Sequence, residues 1–387
     1  MIPRQEIQKI AAEYGDDITI GIFGSHSAEE IGTSAKAWGF RTAIIVEERR
    51  SELYARHSSH LYDEIIAVKK FKDMFSQKVQ DKLIEMNTVF IPNRSFFVYA
   101  GENFAERCRN VEEVFRVSMF QNRALLKTEE RTAPRNQYDI LERSGVRIPK
   151  KFATPGEIDR LAIVKVQQAG NPNERAFFRV TGRKDFKEKS EKYLARGIID
   201  RAGLSKARIE EYVFGARFNA DFHFYALTDV FGSFDFVGCS DRRQINLQGF
   251  LDLPAKDQMV LDIEPTNEEI GHFGVTVRES KKPHFYEVAQ KLFDSKVLRN
   301  EFPPGIRGYV GIQGAIQYAQ RGKKGETEFV VFDLSPRVPG DPAIGPTSPE
   351  MRRLSLKYGK KIEAPLDLTM MEIAEAVKLD RLAEVIT

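Results

Sequence analysis

Apolar positions along the chain recur with two periods, and the first hundred residues switch between them in a regular order. Residues 5–14 carry helical spacing, and "ITIGIF" (18–23) is an apolar run of strand length. "AEEIGTSAKAWGF" returns to helical spacing, and "RTAIIVEE" (41–48) is strand-like again. Strand, helix and strand in that order predict a βαβ unit at the start of an open α/β domain. "DEIIAVK" and "NTVFIPN" predict further strands, with "FSQKVQDKLIEMN" as a helix between them.

A helix at Tyr138–Ser144 leads into "GVRIPKKF". "LAIVKV", "AFFRVT" and "ARIEEYVFG" read as strands, with "KDFKEKSEKYLARGI" as a helix between the last two, and predict a small α+β lid. "FNADFHFYAL", "FDFVGCSD", "GYVGIQGAIQYA" and "EFVVFDLSPRV" follow as an antiparallel set. The tail "TMMEIAEAVKLDRLAEVIT" keeps helical spacing to its end, and "QRGKKGETE" reads as a charged hairpin tip. The expected domains are residues 1–123 (open α/β), 124–215 (linker and lid) and 216–387 (larger, antiparallel).

Charge narrows the partners. Fifty-nine Lys and Arg against 56 Asp and Glu leave a net +3. A dedicated nucleic-acid binder needs a more basic surface to offset many phosphates, so no nucleic-acid partner is expected. Cys108 and Cys239 lie far apart in no ligand-like spacing and read as reduced thiols. "MIPRQEIQKIAAEYGDD" lacks the apolar core of a signal peptide, and no run approaches a membrane span. A soluble cytoplasmic protein without a membrane partner is expected.

Four stretches carry candidate chemistry. "GIFGSHS" breaks a strand at Gly24 and restarts as a helix, an arrangement that favours anions. Ser25 and His26 are donors there; equally, Gly24 makes a tight turn and Ser25 caps the helix. The stretch is not a full GxGxxG fingerprint, which disfavours a dinucleotide. "IPNRSFFVYAG" puts Asn93, Arg94 and Ser95 at the carboxyl end of another strand, where ligands bind in open α/β sheets. Lys165 in "IVKV" and Glu210 and Glu211 in "IEEYVFG" stand as a phosphate lysine and a nucleotide-reading strand, or as surface charges. Gln313 and Asp333 reach one face if their strands form a hairpin, as a magnesium pair or with Asp333 as partner to Arg337. His57 and His60 in "HSSH" show no third metal ligand, and "FGSHS" is not a serine-nucleophile elbow.

In this order the stretches resemble the PurP family, ATP-grasp enzymes that join formate to AICAR, the aminoimidazole carboxamide ribotide of purine synthesis. "SMFQNRALL" is similar to the family's "MFGNR" segment. "RIPKKF", "IVK" and "IEEYVFG" resemble its ATP-binding frame, and "LPAKDQ", "VRES", "PPG" and the C-terminal tail follow in family order. The resemblance implies an ATP-grasp fold behind an N-terminal open α/β (pre-ATP-grasp) domain. It implies that the loop Gly24, Ser25 and His26, with Ser95 and Asn246, contacts the ribotide. It assigns Lys165 to ATP phosphates and Glu210, Glu211, Tyr212 and Val213 to adenine, with Arg217 beside them, and Gln313 and Asp333 to Mg2+ or Mn2+. His26 and Lys165 are the expected catalytic pair, and a homo-oligomer is expected.

The sequence departs from the family at several places: Arg217 and Asp221 stand where the family usually has other polar residues, and the hairpin between Gln313 and Asp333 is longer than the family's. A glycine-rich loop resembling "PGARGGRG" is replaced by "VQQAGNPNERAFF", which brings Glu174 toward the phosphates. Asp333 replaces a glutamate, and "RVPGDPAIGPTSPEM" replaces a segment resembling "RVDGGTN". These departures keep two alternatives open: another ATP-grasp carboxylate–amine ligase, or a non-catalytic relative that binds nucleotide or ribotide.

Overall fold

In the computed structural model, residues 2–131, 133–166, 177–261, 269–319, 325–340 and 348–387 are described, with backbone alone at 245–247. The first sheet holds β1 (Thr19–Phe23), β2 (Arg41–Glu47), β3 (Glu64–Val68), β4 (Thr88–Ile91) and β5 (Ser118–Met119). All its pairs are parallel, in the order β3-β2-β1-β4-β5. Parallel strands covered on both faces need apolar residues on both, which is why β1 and β2 read as continuous runs. Alternate residues serve two cores. Ile20, Ile22, Ile44 and Val46 face one; Phe23, Ala43 and Ile45 face the other, with Phe90 and Phe96. The chain leaves β1 toward β2 and β3, then returns to β4 on the other side. The strand order therefore reverses between β1 and β4, the place where open α/β sheets bind ligands.

The second sheet is antiparallel: β6 (Lys151–Phe152), β7 (Ala162–Lys165), β8 (Phe177–Val180) and β9 (Arg208–Glu211), in the order β6-β9-β7-β8. Tyr193 of the helix Arg183–Ala195 closes its core against Phe152, Val164 and Phe178. The third sheet is antiparallel as well: β10 (Ala216–Phe224), β11 (Phe234–Gln244), β12 (Glu269–Gly274), β13 (Gly308–Tyr318) and β14 (Thr327–Ser335), in the order β12-β11-β10-β13-β14. The helix Lys282–Phe293 buries Phe285, Val288, Ala289 and Leu292 against it, a three- and four-residue spacing. The altered loop 167–176, with Glu174, and most of the expected hairpin tip (320–324) lie outside the described residues. Among the described residues no helix is long and apolar enough to cross a membrane.

The expected single C-terminal helix is two. Leu366–Lys378 ends before Asp380, which takes a left-handed backbone (φ 56), and Leu382–Val385 follows. Asp tolerates that conformation better than most residues because its short side chain bonds locally. The first of these helices packs against the helix Ala28–Ala37 and puts Leu366, Met370 and Ile373 into the core that β1 and β2 share. The last residue then pairs with β5: Thr387 N donates to Met119 O at 2.7 Å and Met119 N to Thr387 O at 3.1 Å. Arg123 locks this join. Its buried guanidinium donates to Val117 O at 2.9 Å, Thr387 O at 3.0 Å, Val111 O at 3.1 Å and Phe115 O. Asn122 beside it holds Phe302 O and Gly305 O, both at 2.8 Å. The "QNR" stretch thus ties the first sheet to the chain leading into β13.

Candidate active site

A crevice of about 870 Å³ opens where the three sheets meet. Its first wall is the carboxyl end of β1 and β4. Asn93 caps the short helix Arg94–Val98, its Oδ1 accepting from Ser95 N at 3.1 Å and Phe96 N at 3.3 Å. Its Nδ2 donates to Phe23 O at 3.0 Å, stapling the two strand ends together. Ser95 Oγ donates to Ser25 Oγ at 3.0 Å, so the two loops form one surface. Gly24 lies beneath that surface. Its N–H bonds Ile45 O at 2.7 Å, and a Cβ there would meet the same oxygen at 2.7 Å. The glycine is explained by the approach to β2 rather than by contact with a ligand. Ser25 is partly buried and does not cap the next helix, whose N-cap is Ser27, without a side-chain cap bond.

His26 lines the crevice with Arg94 and Ser95. The residue is exposed at the crevice wall. Desolvation, then the charges of Arg337 and Arg94, push its pKa down to about 4, so the ring is neutral at pH 7. Arg337 is buried, and its guanidinium bonds Glu129 at 2.9 Å and Val338 O at 3.2 Å. The pairing with Asp333 offered by the sequence is replaced by Glu129.

The second wall comes from the second sheet. Lys165, at the end of β7, is ion-paired to Glu210 of β9. Glu210 Oε2 also accepts from Arg208 Nε at 2.7 Å. Glu211 accepts from Arg147 at 2.6 Å. Both glutamates are almost fully buried, so they are internal charge partners and not a solvated strand end. Tyr212, Val213 and Arg217 line the same crevice. The Arg179 guanidinium lies over the Tyr212 ring, 5.2 Å from its centre. Arg217 lies 3.8 Å from Asp241.

The third wall holds Gln313 and Asp333. They stand opposite each other on β13 and β14, because the register shifts between Gln313 and Gly314. Without that bulge Gln313 would face Phe332, and Asp333 would point to the other side of the sheet. Arg242 of β11 donates to Gln313 Oε1, lies 4.0 Å from Asp333, and pairs with Glu269 at 2.8 Å. His272 flanks Glu269 at 3.2 Å. An amide oxygen and a carboxylate on one face, already drawing a cation, are a donor set that fits magnesium, which takes its remaining ligands from phosphates and water. Among the described residues no group of three or more His, Cys, Asp or Glu forms a metal cluster.

Of the residues expected from sequence, His26, Ser95, Lys165, Glu210, Glu211, Tyr212, Val213, Arg217, Gln313 and Asp333 share this crevice. Asn246 falls in the helix Ile245–Leu251, just after Gln244 of the lining, with its side chain outside the described set. Arg94, singled out beside Ser95 at the strand end, lines it too, whereas sequence reasoning gave no role to Arg131, Arg242 or Glu269, which also line it. The polar run "SDRRQ" closing an apolar strand was the available signal for Arg242.

The chain is similar to known proteins over most of its length. Residues 20–152 match a family described as a protein of unknown function, DUF1246, and residues 185–387 a domain of unknown function, DUF1297. The 5-formaminoimidazole-4-carboxamide-1-(beta)-D-ribofuranosyl 5'-monophosphate synthetase of Methanococcus vannielii is 33% identical over 381 residues, covering 96% of this chain and 99% of that protein. The crystal structure of an IMP biosynthesis protein PurP from Thermococcus kodakaraensis covers 95% of this chain and 100% of its own, at 19% identity and a TM-score of 0.65. The ADP complex of purK, N5-carboxyaminoimidazole ribonucleotide synthetase, covers 84% of this chain and 71% of its own, at 12% identity and a TM-score of 0.53. The fold is ATP-grasp, and the chain belongs to the PurP family of 5-formaminoimidazole-4-carboxamide ribonucleotide synthetases.

Proposed function

We propose that this chain ligates formate to the aryl amine of AICAR at the expense of ATP, giving the formamido ribotide of purine synthesis. The observation that carries the reading is the convergence in one crevice of ribotide-side, nucleotide-side and metal-side residues from three separate sheets. A formate oxygen attacks the γ-phosphorus, ADP leaves, and formyl phosphate results. The AICAR amine attacks the formyl carbon, the bond to the phosphate oxygen breaks, and phosphate leaves as nitrogen gives up a proton. Little covalent chemistry falls to the protein; it positions reactants and offsets charge.

In this reading Lys165 holds ATP phosphates, and Glu210 to Val213 present the strand that meets adenine. His26, Ser95 and Asn246 hold the ribotide. Neutral His26 and Arg94, both in the crevice lining, place a hydrogen-bond donor and a positive charge where a ribotide phosphate is welcome. Gln313 and Asp333 would hold Mg2+, or Mn2+ in its place, which supplies neutralisation of phosphate charge when bound. The test is ADP release with AICAR, formate and Mg-ATP, omitting one component at a time. Release that needs all of them supports the reading. Release with formate and ATP but indifferent to AICAR refutes the amine assignment.

A further inference from the structure

The segment after β14 crosses the mouth of the first sheet and touches the ribotide side of the crevice. It is pinned along its length. Val338 N donates to Pro92 O at 3.2 Å and to Gln121 Oε1 at 3.0 Å, and Val338 bridges Asn93 in parallel. Pro339 O accepts from Ser27 Oγ at 3.1 Å, and the same hydroxyl lies 3.2 Å from His26 Nδ1. Ser27 holds a left-handed backbone (φ 64), an uncommon state for a serine. The ring then rests directly on Gly340. A Cβ added at Gly340 would lie 1.6 Å from His26 Cε1, 2.1 Å from Nε2 and 2.7 Å from Nδ1. No side chain fits between them, and the bonds at Val338 and Pro339 keep the backbone from backing away.

We infer that Gly340 is a positioning residue for the ribotide: its bare Cα is the seat on which the His26 imidazole is set. The ribotide side of the crevice is therefore completed by the segment that follows β14, the strand that carries Asp333 seven residues upstream. The functional consequence rests on the ribotide reading of His26 given above; the seating itself does not.

The test is Gly340→Ala, alone and with His26→Ala. Alanine at 340 displaces the ring, so the KM for AICAR rises at least tenfold while the KM for ATP and the thermal midpoint stay as in the parent. In the His26→Ala background the ring is gone, there is room for the Cβ, and Gly340→Ala adds nothing. Equal losses in the two backgrounds overturn the inference, as does an unchanged KM for AICAR in Gly340→Ala when His26→Ala raises it. If the single variant does not fold, the double variant decides: one that folds and binds AICAR like His26→Ala supports the seating, and one that also fails to fold overturns it. Independently of substrate, the His26 imidazole resonances move in Gly340→Ala; resonances identical to the parent's refute the seating. Should His26→Ala leave AICAR affinity unchanged while those resonances move, the ribotide reading of His26 fails and the seating stands.

Discussion

Lys165 cannot grip a phosphate and Glu210 with full strength at once, and this gives two substitutions opposite signs. The Lys165 side chain is 9% exposed and that of Glu210 2%, so their ion pair is largely cut off from water. Removing one partner of a buried pair typically costs about 3–5 kcal/mol. Here Arg208 stays on Glu210 at 2.7 Å, so Lys165→Met should destabilise by roughly 2 kcal/mol. It also removes a charge-assisted hydrogen bond to phosphate, on the order of 1.5–3 kcal/mol, and ATP should bind about 10- to 100-fold more weakly. Glu210→Gln keeps the shape but leaves Lys165 only a neutral acceptor and the Tyr138 hydroxyl at 3.5 Å. A charge-assisted bond is about twice as strong as a neutral one, so roughly 1–1.5 kcal/mol is released to the phosphate contact. ATP should then bind about tenfold more tightly. Calorimetry with a non-hydrolysable ATP analogue, beside urea unfolding of each variant, reads both effects. If Glu210→Gln weakens binding as Lys165→Met does, Glu210 is itself a nucleotide ligand and the restraint argument is refuted.

Further expectations follow from the other walls. Arg242→Met should tighten Mn2+ binding about fivefold, measured by the resonance of free Mn2+; the Arg242–Asp333 attraction at 4.0 Å is roughly 4 kcal/mol at an effective dielectric near 20 and on the order of 1 kcal/mol after screening. Looser binding would place the metal elsewhere. Arg123→Met should lower stability by about 3–5 kcal/mol, because four carbonyls lose a buried donor at once, and thermal unfolding with an unchanged midpoint would contradict the C-terminal lock. His26 gives a pH signature: its folded pKa, about 4, lies below the unfolded value near 6.5. Between those values the unfolded chain takes up a proton that the folded chain refuses, so this contribution to stability is present above pH 6.5 and lost as pH falls toward 4. The urea midpoint should therefore drop less between pH 7 and pH 5 in His26→Asn than in the parent.

β1, β2 and β4 were legible because burial on both faces leaves few polar positions to interrupt them, and β1 is buried at every residue, whereas the two-residue β5 is too short to show a pattern. The strand-end loops followed, since where a parallel strand ends in sequence it also ends at the crevice. β12 escaped notice for the opposite reason. It is an edge strand with Ile270 63% exposed and His272 turned inward, so its apolar positions mark the outside. Glu269 and the partner it gives Arg242 were hidden with it. The C-terminal break was hidden too, because Leu379 and Leu382 continue a helical spacing across Asp380.

Gln313 and Asp333 show where counting stops and three-dimensional register begins. From Tyr318 opposite Thr327 to Gly314 opposite Val331 the two strands pair one for one, and one more step would set Gln313 against Phe332. Both oxygens share a face only because one residue is slipped there. The slip occurs at Gly314, where a Cβ would lie 2.6 Å from Val330 O and from the Phe329 ring. That glycine lets β14 close against β13 at the point where the register changes. A side chain at 314 would force the strands apart and cost the shared face, however well Gln313 and Asp333 were kept. The proposed metal pair is therefore specified by three residues, and the third has no donor atom on a side chain to announce it.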